Sequence, residues 1–129
     1  MDKIRVVAGI LTSEGRVLAA QRGAGMRHPG KWEFPGGKVE AGEDDSTALI
    51  RELEEELSIT VEVERLLMEH THSYPDQTIC LVGLMGRIVG GEPKAIEHAC
   101  VKWVTTSELS NLDWSDADRP LVQAILERL

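Results

Sequence analysis

The sequence of 129 residues predicts an α/β protein, because apolar segments typical of strands are interspersed with segments of helical periodicity. Five segments are short, apolar and rich in β-branched residues, with turn residues between them. Two other segments carry large aliphatic residues at every fourth position, which places those residues on one face of a helix. The length indicates one domain spanning residues 1–129.

The predicted strands begin with a hairpin. Residues 4–11 and 16–21 are joined by the turn signal Ser13-Glu14-Gly15. Residues 23–31 are predicted to form a loop, and Pro35-Gly36-Gly37 a sharp break at which the backbone can approach a ligand closely. The remaining predicted strands cover residues 59–67, 78–89 and 100–104.

Two helices and one helical turn complete the predicted elements. Residues 46–57 follow the N-cap candidates Asp44, Asp45 and Ser46, and their leucines recur at i+4. Residues 120–129 form the last helix, with Pro120 in its first turn. Residues 105–109 are predicted to make a single helical turn.

Composition and charge exclude several classes of protein. The net charge of −8 argues against a nucleic-acid polymer as partner, because binding a phosphate backbone requires a basic surface. No apolar run approaches the ~18 residues of a membrane span, and two cysteines do not make a disulfide framework. We therefore expect a cytoplasmic protein without a membrane partner. A small phosphorylated ligand remains compatible with the charge if metal cations lie between the two.

The segment R-E-L-E-E-E-L-S-I, residues 51–59, concentrates negative charge on the first predicted helix. Glu52, Glu55 and Glu56 occupy positions i, i+3 and i+4 and project from one face, whereas Glu54 points elsewhere. Taken alone, this pattern is also typical of a solvated helix surface. Three convergent carboxylates would form a site of hard oxygen ligands, which suits Mg²⁺ or Mn²⁺.

The wider context favours the metal site. Residues 37–59 read G-K-V-E-A-G-E-D-D-S-T-A-L-I-R-E-L-E-E-E-L-S-I and fit G-x5-E-x7-R-E-U-x-E-E-x-G-U, in which U is a bulky aliphatic residue. This segment resembles the Nudix box, the signature of the Nudix hydrolase family. Ser58 replaces the usual glycine, which would adopt a left-handed conformation after the helix. We expect a cost on the order of 1 kcal/mol there and no loss of catalysis.

Further segments resemble the MutT-like branch of this family, which hydrolyses nucleoside triphosphates. They are W-E-F-P-G-G-K-V-E, the Gln21-Arg22 pair, the G-E-P turn and A-D-R-P before the last helix. The last third, with E-H-A-C-V-K-W-V and W-S-D-A-D-R-P-L, is most similar to the bacterial (d)CTP pyrophosphohydrolase subgroup, beside the 8-oxo-dGTP diphosphatase type. The resemblance implies an α/β/α sandwich with a central mixed β-sheet.

The resemblance also assigns roles to individual residues. As metal ligands and catalytic carboxylates it implies Glu52, Glu55 and Glu56, with the carbonyl of Gly36 as a backbone ligand. Glu97 matches a downstream carboxylate that binds metal or helps to activate water; whether Glu56 or Glu97 is the general base stays open. Glu43 and Arg51 match a pair that orients the helix and the loop before it.

The substrate side follows from the same resemblance. Arg22 and Lys38 are candidate phosphate contacts, Gly37 borders the substrate, Phe34 could stack on a base and Asp118 could hydrogen-bond to it. Asp118 also occupies the position of an N-cap for the last helix. Tyr74 and Pro75 are expected on a mobile loop beside the site. The four histidines, His28, His70, His72 and His98, are interpreted as surface or structural residues.

The function implied is a Mg²⁺-dependent nucleoside triphosphate pyrophosphohydrolase, with Mn²⁺ as a possible substitute. Water would attack the β-phosphorus of a (d)NTP, either (d)CTP or a modified or oxidised dNTP, and release a monophosphate and pyrophosphate in nucleotide-pool sanitation. Hydrolysis of ADP-ribose or of a dinucleoside polyphosphate is an alternative. A non-catalytic nucleotide-binding module is an alternative of a different class. Both a monomer and a homodimer are compatible with the sequence.

Overall fold

The structure is a computed structural model that describes residues 3–128. Within these residues, a seven-stranded sheet is combined with helices of 13 and 10 residues, one short helix of 4 residues and one 3₁₀ turn. In chain order the elements are β1 Lys3–Ser13, β2 Arg16–Gln21, β3 Trp32–Glu33, β4 Gly36–Lys38, α1 Asp45–Leu57, β5 Thr60–Tyr74, β6 Gln77–Gly90, β7 Cys100–Thr105, α2 Thr106–Leu109, the 3₁₀ turn Asp116–Asp118 and α3 Arg119–Arg128.

The sheet is mixed, as expected. Its strands run in the order β3-β2-β1-β6-β5, while β4 pairs with β1 and β7 pairs with β2. β1 and β6 are parallel, in a register that runs from Lys3 opposite Thr78 to Leu11 opposite Gly86. The other pairings among the described strands are antiparallel, including the predicted β1–β2 hairpin. The two strands at the centre of the sheet, β1 and β6, therefore run parallel, and central parallel strands are typically covered on both faces.

Successive residues of β1 point to opposite faces of the sheet, and each face is covered by a helix. Val7 and Leu11 pack with the leucines of α1 in one cluster of buried residues. Ala8 and Ile10 pack with Leu121 and other residues of α3 in a second cluster. This two-sided packing confirms the expected α/β/α sandwich. Each fully buried leucine or isoleucine in it contributes roughly 1.5–3 kcal/mol by removal from water.

Helix α1 forms where it was predicted and begins at Asp45, one residue earlier than expected. The side chain of Asp44 accepts a hydrogen bond of 2.8 Å from the backbone N–H of Thr47, which caps the first turn. Leu49, Leu53 and Leu57 are fully buried. The helix ends at Ser58, whose φ of 60° and ψ of 40° are left-handed, as expected for the position at which the Nudix box usually has glycine.

The predicted sharp break at Pro35-Gly36-Gly37 is confirmed at Pro35, a bend between β3 and β4, and is wrong for the two glycines. Gly36 and Gly37 belong to β4 and lie opposite Ala8 and Val7 of β1. They have no side chain because neighbouring groups lie too close: a Cβ built at Gly36 would come within 3.0 Å of backbone atoms of Val7 and Ala8. Close packing, and not a turn, therefore requires glycine at these positions.

The fifth strand is longer than predicted. β5 extends beyond residue 67 to Tyr74, which lies opposite Gln77 of β6 at the end of a long hairpin. The placement of Tyr74 on a mobile loop is therefore wrong, while Pro75 lies in the turn that follows it. The second half of β5 alternates exposed residues with half-buried ones, but most of them are polar, so the pattern did not indicate a strand.

The last helix begins at Arg119, one residue earlier than predicted, and Leu129 at its predicted end lies outside the described residues. Both cysteines are free thiols. Among residues 3–128, no helix combines the length and the apolar character needed to cross a membrane.

Candidate active site

A cleft of about 260 Å³ opens beside β1, β4 and the 3₁₀ turn. Residues from six separate parts of the chain line it, which a sequence pattern alone does not bring together. Among the lining residues are seven of the predicted site residues: Arg22, Phe34, Gly36, Gly37, Lys38, Glu56 and Asp118. Glu33, Tyr74 and Ser115 line the same cleft.

Glu56 is the most perturbed carboxylate of the cleft. Its Oε2 atom is buried and has no hydrogen-bond partner among the described residues. Burial raises the pKa of Glu56 to about 9, and the negative charges of Glu52, Glu33 and Glu97 act in the same direction. A divalent cation would supply the positive charge that this oxygen lacks, so the chemistry of Glu56 fits a metal ligand.

Glu52 and Glu55 are held differently. Arg51 Nη1 donates to Glu52 Oε1 at 2.9 Å and contacts Glu55 Oε2 at 3.4 Å. Within residues 3–128, no three histidine, cysteine, aspartate or glutamate side chains are already arranged as a metal cluster. The three carboxylates thus lie along one helix face but have different surroundings. Arg51 contacts Glu52 and Glu55, whereas Glu56 lines the cleft.

Arg51 also joins the helix to the loop before it. Its Nε atom donates to Glu43 Oε2 at 2.8 Å, and its Nη2 atom donates to Glu43 Oε1 and to the carbonyl of Lys38, both at 3.0 Å. The Arg51 guanidinium, followed by a hydrogen bond from the Glu40 backbone, lowers the pKa of Glu43 to about 2. The planar fork of arginine makes this bidentate contact, which lysine could not reproduce.

Glu97 lies in the exposed segment between β6 and β7. Its side chain is not among the lining residues of the cleft, but its charge reaches Glu56. The backbone at Glu97 packs against Gly23: a Cβ built at Gly23 would lie 3.1 Å from the carbonyl oxygen of Glu97. Lys38 is exposed at the edge of the cleft.

Asp118 is a buried residue of the cleft lining. Its Oδ2 atom accepts a hydrogen bond of 2.8 Å from the backbone N–H of Phe34, and its Oδ1 atom accepts one of 2.9 Å from the hydroxyl of Ser115. Burial, together with the charge of Glu33, raises the pKa of Asp118 to about 7. The carboxylate therefore connects the β3–β4 segment to the 3₁₀ turn. Phe34 itself is only 3% exposed and stacks on Trp114 with ring centroids 4.6 Å apart.

The sequence analysis missed Glu33. Its carboxylate pairs with Arg22 through Oε1, and its Oε2 atom lies 2.7 Å from Nε2 of His98. His98 is one of the few buried polar residues. A charged residue between Trp32 and Phe34 was the available signal, because an acid between aromatic residues in a strand is uncommon unless it is paired.

The cleft combines the carboxylates of Glu56 and Asp118 with the cations Arg22 and Lys38, which suits a phosphorylated ligand held through a metal cation. The family model of the NUDIX domain matches residues 2–125. The chain belongs to the Nudix hydrolase family, whose members generally depend on a divalent metal ion. The predicted family, its MutT-like type and the hydrolase activity are confirmed.

Curated relatives and solved structures agree with this assignment. The CTP pyrophosphohydrolase of Escherichia coli (strain K12) is 36% identical over 126 residues, which cover 98% of this chain and 93% of the relative. The 8-oxo-dGTP diphosphatase of the same strain is 33% identical over 130 residues and is matched over 100% of both chains. The solution structure of the E. coli ORF135 protein has a TM-score of 0.85 at 36% identity, covering 98% of this chain and 91% of that chain.

Proposed function

We propose that this chain is a Mg²⁺-dependent pyrophosphohydrolase of nucleoside triphosphates, acting on (d)CTP or on an oxidised or modified dNTP. The relatives named for CTP and for 8-oxo-dGTP support this substrate class. The observation that carries the proposal is the Glu56 carboxylate, whose Oε2 has no hydrogen-bond partner within residues 3–128 and which lines a cleft shared with Arg22 and Lys38. The products would be a nucleoside monophosphate and pyrophosphate.

The residues that would hold the cation are Glu52, Glu55, Glu56 and Glu97, with the carbonyl of Gly36. When bound, a divalent cation offsets the negative charge of the phosphates and lowers the pKa of a bound water. Mn²⁺ prefers the same oxygen ligands and is the expected substitute.

The chain's own groups supply the remaining steps. Arg22 and Lys38 place positive charge where the phosphates would lie, and Gly37 leaves room beside them. Glu56 or Glu97 accepts the proton of the attacking water, which is the role of a carboxylate within hydrogen-bond reach of that water. Attack at the β-phosphorus needs no covalent intermediate on the protein.

Base recognition is assigned to the part of the cleft formed by Asp118 and Phe34. Asp118 faces the cleft with a carboxyl group whose pKa of about 7 allows either protonation state near neutral pH. It could therefore accept from or donate to the edge of a base, while Phe34 forms part of the apolar wall. The substrate is a small molecule of the nucleotide pool, so we place the enzyme in the cytoplasm. We expect it to act as a single Nudix domain, in a monomer or a homodimer.

The test is a substrate panel with Mg²⁺: CTP, dCTP, 5-methyl-dCTP, 8-oxo-dGTP, ADP-ribose and diadenosine polyphosphates. We expect pyrophosphate and a monophosphate from a triphosphate, and in ¹⁸O-labelled water the label should enter pyrophosphate. Preference for ADP-ribose or a dinucleoside polyphosphate would replace the proposed substrate. Binding of nucleotide without any turnover would make the chain a binding module.

A separate experiment tests the metal requirement. EDTA, or the double change Glu55→Gln with Glu56→Gln, should abolish turnover. Glu54→Gln is the matched control, because Glu54 is an exposed glutamate of the same helix outside the cleft. Activity that persists in EDTA or in the double variant would overturn the metal-dependent reaction.

A further inference from the structure

A partly buried chain of polar contacts joins Arg22, which lines the cleft, to the segment that carries Glu97. Arg22, at the end of β2, pairs with Oε1 of Glu33. His98, in the segment before β7, lies with Nε2 2.7 Å from the other oxygen, Oε2. Glu33 is therefore held from both sides, by a candidate phosphate contact and by a histidine that the sequence analysis treated only as surface or structural.

The geometry determines which nitrogen of His98 carries the proton. The Glu33 carboxylate accepts hydrogen bonds, so Nε2 of His98 must donate. The Nδ1 atom is buried and has no partner among the described residues. With the proton on Nε2, Nδ1 is a bare acceptor and no buried N–H group is left without an acceptor, which is the less costly arrangement. The imidazole is completely enclosed, with 0% of the side chain exposed.

The backbone around His98 is anchored to the same end of β2. Ala99 N–H donates to the carbonyl of Gln21 at 2.9 Å, where the pairing of β2 with β7 begins. Gly23 leaves the space in which the Glu97 carbonyl lies. The imidazole adds a side-chain link from this segment to Glu33, across 65 positions of sequence. The segment that carries Glu97 is therefore tied to both Gln21 and Glu33.

We propose that His98 is a positioning residue for the reaction. By donating to Glu33 it holds that carboxylate against Arg22, and it fixes the adjacent Glu97 relative to the cleft. The inference rests on the proposed function, because Arg22 and Glu97 are candidate residues of that reaction. His98 touches neither substrate nor water in this role; it acts through Glu33 and through its own backbone.

Two substitutions separate positioning from packing. His98→Gln keeps an amide N–H near the place of Nε2, whereas His98→Leu keeps apolar volume and removes the donor. We expect His98→Leu to lower kcat by roughly 10–100-fold, the usual loss when a group that orients a metal-binding residue is removed. His98→Gln should restore most of this loss. KM should rise in His98→Leu as well, because Arg22 loses its fixed partner geometry.

Val104→Ala is the control for a general loss of stability. Val104 is fully buried in β7, near His98 in sequence, and it packs in the core without a polar contact to Glu33. It should lower the melting temperature while kcat stays close to that of the unmodified chain. A loss of kcat in Val104→Ala equal to that in His98→Leu at the same stability would overturn the proposal. So would unchanged kcat in His98→Leu, or a loss in His98→Gln as large as in His98→Leu.

A second readout does not depend on turnover. Long-range ¹H–¹⁵N spectra of ¹⁵N-histidine-labelled protein should show His98 as the Nε2–H tautomer. Mn²⁺ should broaden the backbone amide signal of Glu97 in the unmodified chain and in His98→Gln, and less in His98→Leu. If no nucleotide is hydrolysed, the proposed function fails, while these spectra still decide the inference. The Nδ1–H tautomer, or equal broadening in both variants, would overturn it.

Discussion

The backbone of Gly37 lies directly against the carboxylate of Glu52. A Cβ built at Gly37 would come within 2.7 Å of the carboxyl carbon and both oxygens of Glu52, whereas real Cβ atoms essentially never come within 3.0 Å of another heavy atom. The backbone of β4 and the acidic face of α1 are thus too close for any side chain at position 37. The first glycine of the Nudix box is therefore needed because any side chain there would overlap the carboxylate of Glu52, fifteen positions later.

Gly37→Ala should fold but lose activity. The Cβ meets the end of a flexible side chain, so Glu52 can rotate away and the fold is kept while a candidate metal ligand is displaced. We expect a fall in kcat of roughly 10–100-fold, with a small change in melting temperature. Gly36→Ala is the contrast, because its Cβ meets the backbone of Val7 and Ala8 and should destabilise the fold strongly. Full activity in Gly37→Ala would show that Glu52 can act from another position.

The metal-free protein should lose stability as the pH rises, in part because of Glu56. Burial raises the pKa of folded Glu56 to about 9, above its ordinary value of 4.5. Its stabilising contribution is therefore complete below about pH 4.5 and is lost as the pH rises towards 9. Glu56→Gln should reduce this dependence. Urea unfolding in EDTA between pH 6 and 9 measures it, with Glu54→Gln as control; parallel curves for Glu56→Gln and the unmodified chain would contradict it.

Asp118→Asn should destabilise the protein by roughly 1–3 kcal/mol, because the amide nitrogen cannot accept and one of two buried donors loses its partner. The folded pKa of Asp118 is raised to about 7, so its contribution is lost as the pH rises through 7. The difference between Asp118→Asn and the unmodified chain should therefore narrow from pH 6 to pH 8. Denaturant titrations check this, with the exposed Asp116→Asn as control; a difference that widens would be inconsistent with the raised pKa.

Ser58→Gly should stabilise the protein by about 1 kcal/mol without changing kcat. Ser58 ends α1 with a φ of 60°, a conformation that strains residues with a Cβ and suits glycine. Ser110 ends α2 with a φ of −68°, so Ser110→Gly should give no such gain. Thermal unfolding of both variants tests the difference. Equal shifts in the two would mean that backbone strain at Ser58 is not the cause.

The sequence predicted the elements that depend on residues close together in the chain, such as α1 and β2. Asp44 and the three buried leucines predicted α1, and the bounds of β2 agree with the prediction. The Nudix box placed the acidic face on that helix. Tyr74 was misplaced because the second half of β5, which carries it, has few apolar residues, and the pairing of this half with β6 decides its structure. Gly36 and Gly37 were misinterpreted because glycine pairs usually indicate turns.

The polar contacts inside the cleft were beyond a sequence pattern. Glu33 and His98 lie 65 positions apart, and Asp118 accepts from the backbone of Phe34 across 84 positions. No periodicity relates residues at such separations, and each side chain alone is compatible with an exposed position. The burial of Glu56 is likewise a product of tertiary packing, although its place on the helix face was predictable.

The parallel pairing of β1 with β6 has a consequence for biosynthesis. β1 leaves the ribosome long before residues 78–86, which provide its neighbour in the sheet. The hairpin pairs β2 with Thr12 and Ser13, at the other end of β1. Until residues 78–86 arrive, Val7 and Ile10 therefore lack their parallel neighbour and have no completed layer on either side. The chain loses the entropy of closing this long loop before the contacts between β1 and β6 stabilise it. Folding should therefore be slow relative to a helical bundle of similar size. The nascent chain therefore carries an exposed apolar strand for most of its synthesis, the period in which a chaperone would be of use.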